Sequence, residues 1–374
     1  MPRRYQGASW LLALLAFAAC QAAQAAAPAP GFVREPLRLD VTLPDGKRAT
    51  LEALLTRPDQ PGRFPLALIN HGTPRDPVAI GIAAPENYSD VSLVFAQHGY
   101  AAVVVNRRGY GQSSGQPATN GGLCNDKNYA DAANAAAADI LAAAARLQHE
   151  PWVDARQILL VGHSAGGLGS LAAAAASPPG IVGVVNFAGG GGSPQPDTVC
   201  QPERLVQTMH ALGQKVHVPS LWIYAANDHF FGPQLARQMF DAFVAGGASA
   251  EFDAAPGYGT DGHLFIHATA PQLWWPRVAS FLEQLHLPTR AVVNLPPPGT
   301  LPTPAGLSAL GQQAFASYLA SFHYEKAFAT NRAGRYGVAS GRRSQDDANA
   351  AAMAFCQQTG ATCTVYASGN QLAR

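Results

Sequence analysis

A serine flanked by glycines is the residue best placed to do chemistry in this sequence. It lies in Gly162-His163-Ser164-Ala165-Gly166, between the apolar run Ile158 to Val161 and an alanine-rich stretch. Small residues on both sides of a serine at a strand-to-helix turn allow the strained backbone that exposes its hydroxyl. The helix amino end that follows favours a developing negative charge. We predict Ser164 as a nucleophile; the alternative is a Gly-rich turn with a capping serine.

A serine hydroxyl is a weak nucleophile, so it needs a general base and an acid that orients that base. Asp228 and His263 each follow a predicted strand downstream of Ser164, and they fit the acid and the base respectively. His267 is the alternative base, although it lies close to the next predicted helix, and His229 fits a loop or pocket position. The chain order Ser, Asp, His differs from the orders of subtilisin-like and chymotrypsin-like enzymes.

The oxyanion that forms when Ser164 attacks a carbonyl requires backbone N–H donors. We expect one donor from Ala165, the residue after the nucleophile, and one from Thr73, which follows a predicted strand at the same sheet edge. Gly72 would permit the turn that brings Thr73 there. The predicted substrate-pocket residues are His71, Gly72, Tyr110 and His163.

Two interpretations of Arg107-Arg108-Gly109-Tyr110-Gly111 remain open. The segment follows the predicted strand Ala101 to Asn106 and therefore lies at the same sheet edge. Either Tyr110 or an arginine lines the pocket, or the segment is a tight glycine turn with solvated arginines. The run Gly189 to Gly192 is no phosphate loop, because it lacks the lysine and the Ser/Thr of such loops.

The elements that must position these residues alternate between short apolar runs and helical stretches. A strand pair, Leu37 to Leu43 and Arg48 to Arg57, is followed by predicted strands at Leu66–Asn70, Ala101–Asn106, Gln157–Gly162, Ile181–Phe187, Ser220–Tyr224 and Ala250–Ala254. Predicted helices lie at Ser89–His98, Tyr129–His149, Ser164–Ser177, Glu203–Leu212, Pro233–Ala245 and Pro271–Leu285. This alternation predicts an α/β class: a doubly wound, mostly parallel sheet with functional residues at the carboxyl ends of its strands.

The first 25 residues are predicted to be a signal peptide. Arg3 and Arg4 precede the apolar run Trp10 to Ala19, and Ala23-Gln24-Ala25 offers small residues for cleavage. We therefore expect a periplasmic or secreted protein, with lipoprotein anchoring at Cys20 as a lesser alternative. No later segment is long and apolar enough to span a membrane.

Export makes disulfides the expected state of the remaining cysteines. Cys124 and Cys200 both follow predicted strands, and we expect them to pair and to tie two pocket loops together. Cys356 pairs with Cys363 in the same scheme. The cysteine spacings match no zinc site, and the sequence predicts no metal and no cofactor.

The last quarter of the chain reads as a separate unit. We expect a hydrolase domain over residues 31 to 287, a Pro-rich linker over 288 to 310, and a small disulfide-containing α+β module over 311 to 374. Helices at Gln312–Ala327 and Ser344–Gln358 alternate with extended segments at Tyr336–Ser340 and Thr362–Ala367 in this prediction. Residues 288 to 374 are expected to lie outside the catalytic machinery.

Composition excludes several classes of protein. Only 13% of the 374 residues are charged, against about 25% in an average soluble domain. The net charge of +1 gives no field that would attract DNA or RNA. We therefore expect no nucleic-acid partner.

Residues 31 to 287 resemble an α/β-hydrolase of the dienelactone hydrolase-like group, which is also similar to the hydrolase domain of prolyl oligopeptidase-type peptidases. The segments that carry the resemblance are His71-Gly72-Thr73, Arg107 to Gly111, Gly162 to Gly166, Ala226 to His229, and Asp261-Gly262-His263. The resemblance departs at the nucleophile, because dienelactone hydrolases proper use cysteine where this chain has Ser164. It therefore implies a general carboxylesterase rather than turnover of dienelactone.

These observations together predict an exported serine hydrolase that cleaves carboxylic esters through an acyl-enzyme. Ser164 is the expected nucleophile, His263 the base and Asp228 the orienting acid. A serine peptidase acting on short peptides, or a non-catalytic binding protein on the same fold, are the alternatives.

Overall fold

A computed structural model describes residues 31–268, 271–295, 297–358, 360 and 362–373. The predicted signal peptide lies outside these residues. An eight-stranded sheet has the order β1-β2-β4-β3-β5-β6-β7-β8, in which β1, β2 and β4 pair antiparallel and the other neighbours pair parallel. Its strands are β1 Phe32–Thr42, β2 Arg48–Pro58, β3 Phe64–Asn70, β4 Ala101–Val105, β5 Val153–His163, β6 Ile181–Phe187, β7 Ser220–Ala225 and β8 Ala250–Ala255. The predicted doubly wound, mostly parallel sheet is confirmed.

Helices cover both faces of this sheet, which explains why its central strands are apolar at consecutive positions. The helices are α1 Val78–Gly81, α2 Ser89–Gln97, α3 Tyr129–Leu147, α4 Ala165–Ala175, α5 Pro202–Gly213, α6 Pro233–Ala245 and α7 Trp275–Gln284. In β3, Leu66 and Leu68 belong to the core under α3 and α4, whereas Ala67 and Ile69 belong to the core under α2 and α7.

A second, four-stranded antiparallel sheet with the order β10-β9-β11-β12 follows the Pro-rich stretch. Its elements are α8 Ala309–Ala320, β9 Lys326–Thr330, β10 Tyr336–Ser340, α9 Gln345–Gln357, β11 Thr364–Ser368 and β12 Gln371–Leu372. Ser344 caps α9 as predicted, with its hydroxyl accepting from the Asp347 amide at 3.1 Å.

The predicted helix Gln312 to Ala327 is wrong at its carboxyl end. Helix α8 stops at Ala320, and Lys326 begins a strand that the sequence analysis missed. Every residue of β9 is buried, because the strand pairs with β10 on one side and β11 on the other. This tertiary pairing outweighs the local preference of alanine for helix.

Two ion pairs fasten this C-terminal unit to the first strands of the large sheet. The guanidinium of Arg34 in β1 donates to both carboxylate oxygens of Glu325, one of them at 2.8 Å, and both side chains are buried. Arg343 binds Glu52 in β2 at 2.6 and 2.9 Å. Burial raises the pKa of Glu52, but the hydrogen bond from Arg343 opposes it and the pKa lies below its ordinary value.

Both predicted disulfides are present. Cys124 is bonded to Cys200 with Cα atoms 4.9 Å apart, and Cys356 is bonded to Cys363 with Cα atoms 6.2 Å apart. The first bond joins a loop before α3 to the segment before α5, and the second ties α9 to the residue before β11. Within the described part of the chain, no helix combines the length and the apolar character needed to cross a bilayer.

Candidate active site

Ser164 lies at the turn between β5 and α4 and has a strained backbone. Its φ of 55° and ψ of −124° fall in a region that non-glycine residues rarely adopt. A Cβ at Gly166 would lie 2.1 Å from the Asn70 carbonyl oxygen, so only glycine allows the turn to pack against the end of β3. The Ser164 amide donates to the Phe187 carbonyl at 3.0 Å, which ties the turn to β6. The serine is therefore held at the carboxyl edge of the sheet.

His263 and Asp228 form a buried pair at the same edge. His263 Nδ1 lies 3.1 Å from Asp228 Oδ2, and their side chains are 4% and 0% exposed. The other carboxylate oxygen accepts from the amides of Phe230 and Phe231 at 2.7 and 2.9 Å. These bonds fix the Asp228 carboxylate, so that it directs Nδ1 inward and leaves His263 Nε2 as the ring nitrogen available to a reacting group.

The ring of His263 is held from its face by a stack that sequence analysis missed. Phe230 lies parallel to it with ring centroids 3.8 Å apart. Arg75 covers the far side of Phe230, with its guanidinium carbon 3.4 Å from the ring centroid. Arg75 is itself anchored by hydrogen bonds to Ser193 and to the His229 carbonyl. The stack restricts rotation of the His263 imidazole.

Gly72 and Thr73 approach the nucleophile from the loop after β3. A Cβ at Gly72 would lie 3.0 Å from the Cβ of Ser164, so a side chain there would crowd the serine. Thr73 lines one cavity together with Ser164 and Ala165. The Thr73 hydroxyl is 2.8 Å from the Tyr110 hydroxyl, which positions this loop. Ala165 is the first residue of α4, so its N–H belongs to the first turn, where no helix carbonyl can accept it.

His71 and Arg107 brace this loop rather than project freely into the pocket. His71 Nδ1 donates to the Gly72 carbonyl at 2.6 Å, and His71 Nε2 accepts from the Arg107 amide at 3.0 Å. The Arg107 side chain binds the His71 carbonyl and is buried. Burial, together with the neighbouring Arg107, lowers the pKa of His71 well below its ordinary value. The interpretation of solvated arginines is thus wrong for Arg107, and Arg108 pairs with Asp139.

His163 uses both of its ring nitrogens within the protein. Nε2 lies 2.8 Å from the carbonyl oxygen of His263, and Nδ1 lies 2.7 Å from the hydroxyl of Tyr88. Tyr88 also accepts from the Gly72 amide at 3.1 Å. His163 lines a cavity as predicted, but both of its ring nitrogens are engaged by other groups of the protein.

The competing histidines have other partners. His267 Nδ1 lies 3.0 Å from Asp90 Oδ2, and His229 Nδ1 lies 2.8 Å from Asp197 Oδ1. Asp261 accepts from the backbone amides of His263 and His229 and so fixes the loop that carries His263. In the described residues, only His263 of these three histidines contacts Asp228 through a ring nitrogen.

Two cavities meet at Ser164. The helix-side cavity, of about 390 Å³, is lined by Ser164, Ala165, Leu168, Tyr129, Phe231 and the Cys124–Cys200 disulfide. The base-side cavity, of about 420 Å³, is lined by Ser164, His263, His163, Tyr88, Ile82 and Leu264. Tyr110 lines both. Among the residues that the structure describes, no Asp or Glu lines either cavity.

Arg342 also lines the base-side cavity, so the unit that we expect to lie outside the catalytic machinery supplies part of a cavity wall. The residues on either side of Arg342 are bound to the unit that holds the large sheet. The Gly341 carbonyl accepts from Asn87 at 2.7 Å, and Arg343 is paired with Glu52. The Nε of Arg342 is buried without a hydrogen-bond partner. The C-terminal unit therefore contributes a cation to the wall of the cavity that holds Ser164 and His263.

No group of three or more His, Cys, Asp or Glu side chains in the described ranges is arranged to hold a metal ion. The contacts around Ser164, His263 and Asp228 instead suit proton transfer and nucleophilic attack.

Comparison with known proteins gives one family. A model of the dienelactone hydrolase family matches residues 51–285. No curated protein sequence matches the chain.

Solved structures similar to this chain share less than a fifth of its residues by identity. A protein described as a dienelactone hydrolase from Klebsiella pneumoniae is 18% identical, with 67% of this chain and 99% of that chain covered and a TM-score of 0.45. An esterase from Pyrococcus furiosus is 15% identical over 67% and 92% of the two chains, with a TM-score of 0.47. An acetyl xylan esterase from Paenibacillus is 17% identical over 70% and 85%, with a TM-score of 0.47.

Proposed function

Because this chain belongs to the dienelactone hydrolase family, we propose that it cleaves carboxylic esters through an acyl-enzyme formed on Ser164. Membership of this family, together with serine at position 164 of the nucleophile turn, makes the chain a serine-hydrolase-type esterase. The observation that carries the proposed roles is the cavity shared by Ser164 and His263, in which the base is held on Asp228 at 3.1 Å.

In this mechanism the Ser164 hydroxyl attacks the ester carbonyl while His263 Nε2 takes its proton. Asp228, bound to Nδ1, stabilises the imidazolium that results. The amides of Ala165 and Thr73 donate to the oxyanion of the tetrahedral intermediate. The intermediate collapses with release of the alcohol, which receives the proton from His263. Water, deprotonated by His263, then attacks the acyl-enzyme, and the carboxylic acid leaves as His263 returns the proton to Ser164 Oγ.

The two cavities would then receive opposite ends of the ester. The alcohol oxygen must lie against His263, since this residue protonates it as it leaves. We therefore assign the base-side cavity to the alcohol part. The helix-side cavity has Ala165 and Leu168 in its wall and would hold the acyl part. Leu168, Tyr129 and Phe231 give this cavity apolar wall residues that suit an unbranched or aromatic acyl group, and Arg75, Arg107 and Lys127 line it as well.

Export of the protein is part of the proposal. Support comes from the two disulfides, which persist in oxidising compartments and are rare in the cytosol. The signal-peptide pattern of the first 25 residues agrees with that location.

The proposed roles are tested with a fluorophosphonate label and a panel of nitrophenyl esters and aminoacyl anilides. We expect labelling at Ser164, ester turnover above anilide turnover, and loss of about 10³-fold or more in kcat for Ser164→Ala and His263→Ala. His267→Ala is the matched control and should keep most of the activity. Full activity of Ser164→Ala would end the assignment, a dead His267→Ala with an active His263→Ala would move the base, and faster anilide turnover would make the chain a peptidase.

A further inference from the structure

We propose that His163 and Tyr88 are positioning residues that hold the nucleophile turn, the Gly72–Thr73 loop and the backbone of His263 in one register. This inference rests on the proposed function, because it concerns the same serine, oxyanion donors and base. Neither residue reacts with the substrate in this proposal. They act by fixing where the reacting groups stand.

Three hydrogen bonds link Gly72, Tyr88, His163 and His263 in series, and their donors and acceptors can be assigned in only one way. The His263 carbonyl can only accept, so His163 Nε2, 2.8 Å away, must carry the hydrogen. The neutral ring then has an unprotonated Nδ1, which accepts from the Tyr88 hydroxyl at 2.7 Å. The same hydroxyl oxygen accepts from the Gly72 amide at 3.1 Å. One continuous chain therefore leads from the Gly72 N–H to the His263 carbonyl.

The charge states of both groups agree with this direction. Burial, reinforced by the neighbouring His263 and His267, lowers the pKa of His163 well below its ordinary value. Burial likewise raises the pKa of the Tyr88 phenol. His163 is thus neutral and Tyr88 protonated at neutral pH, which is the combination that the chain of hydrogen bonds requires.

The chain of hydrogen bonds joins segments that are far apart in sequence. Gly72 follows β3, Tyr88 ends the short 3-10 helix Pro85–Tyr88, and His163 is the last residue of β5. His263 lies in the 3-10 helix Gly262–His267 beyond β8. Thr73 directly follows Gly72, and Ser164 directly follows His163. A shift of Gly72 would therefore move the oxyanion donor Thr73 relative to His263. A shift of His163 would likewise move the nucleophile Ser164.

Such a shift should appear in kcat rather than in KM. A displacement of about 1 Å at a reacting group can cost roughly 100-fold in rate while the substrate still binds. Removing a buried hydroxyl that only stabilises the fold would instead lower the melting temperature and leave the turnover of folded enzyme unchanged. The two roles are therefore separable by steady-state kinetics on purified, folded protein.

The experiment compares Tyr88→Phe, His163→Leu and His163→Gln with a matched control, Tyr100→Phe. Tyr100 is also a buried tyrosine, but its hydroxyl donates to the Pro288 carbonyl at 2.9 Å, away from the site. We expect Tyr88→Phe and His163→Leu to lower kcat about 10- to 100-fold with KM changed less than about 3-fold. His163→Gln should recover part of this loss, because its amide can donate to the His263 carbonyl. Tyr100→Phe should keep the wild-type kcat.

The double variant of Tyr88→Phe with His163→Leu gives a further test. Because both residues serve one chain of hydrogen bonds, the double variant should be little slower than the slower single variant. Wild-type kcat in folded Tyr88→Phe and His163→Leu would overturn the inference, as would a His163→Gln variant no faster than His163→Leu. If wild-type protein has no esterase activity, or Ser164→Ala keeps it, the proposed function has failed instead.

Discussion

Removing the Arg343 side-chain charge should weaken the attachment of the C-terminal unit to the large sheet. In Arg343→Met, Glu52 would lose the two hydrogen bonds of 2.6 and 2.9 Å that bind it to the guanidinium. Its carboxylate would keep only neutral donors, the Gln112 amide at 2.8 Å and Asn106 Nδ2 at 3.0 Å. The variant would therefore leave a largely buried charge without a counter-ion.

The size of the effect follows from the exposure of the two partners. Breaking a buried ion pair by removing one partner costs about 3 to 5 kcal/mol. Glu52 is 9% exposed, but Arg343 is 26% exposed, so solvent already screens part of the attraction. We therefore expect the lower end, a loss of about 3 kcal/mol in the free energy of unfolding. The neutral pair Glu52→Gln with Arg343→Met should recover part of this loss, because no unpaired charge remains.

The assay is urea unfolding followed by tryptophan fluorescence and circular dichroism. Arg332→Met provides the matched control, because Arg332 is an exposed arginine of the same unit, and its removal should change the free energy by no more than about 0.5 kcal/mol. A loss below about 1 kcal/mol in Arg343→Met, or a double variant less stable than the single one, would refute the reasoning.

Three further outcomes are expected. Replacing Cys124 and Cys200 by alanine together opens a link across 76 residues, and calorimetry should show a loss of about 4 kcal/mol along with a higher KM for long acyl esters; an unchanged KM would mean that the bond does not shape the acyl cavity. Arg342→Gln should lower kcat/KM about 10-fold for 4-acetoxybenzoate, whose leaving group carries a carboxylate, but not for phenyl acetate. The reason is that hydrogen bonds to charged groups contribute about 1.5–3 kcal/mol. Equal losses on both esters would argue against a charge effect. Because the pKa of Glu52 is lowered by folding, its carboxylate stabilises the fold above the unfolded-state pKa, and this stabilisation disappears as pH falls through the folded-state value. The free energy of unfolding should therefore fall less steeply with acid in Glu52→Gln than in the wild type. Identical curves would contradict this sign.

The residues proposed for the chemistry were predictable because their signals are local. Gly162 to Gly166 specify the turn around Ser164 by their small size, and the strand ends fix where Asp228 and His263 can stand. The eight-stranded sheet was likewise predictable, since continuous apolar runs need helices on both faces.

The supporting residues were not predictable, because their roles depend on contacts between distant segments. Nothing in the local sequence of Tyr88 marks it as the partner of His163, which lies 75 residues away. Phe230 could have been suspected, since it follows Asp228 by two positions and its amide can reach back to that carboxylate. Strand β9 was missed because its alanines suit a helix until two neighbouring strands enclose them.

The ion pairs between the two sheets join segments that are synthesised at very different times. Arg34 and Glu325, like Glu52 and Arg343, stand 291 residues apart. A chain made from its amino end displays Arg34 and Glu52 long before their partners exist. In the strands β1 and β2, Arg34 and Glu52 therefore lack these partners until residues 325 to 343 have been made. Docking of residues 325 to 343 pairs both charges and also brings Arg342 to the wall of the base-side cavity, so this wall is complete only when the C-terminal unit is in place.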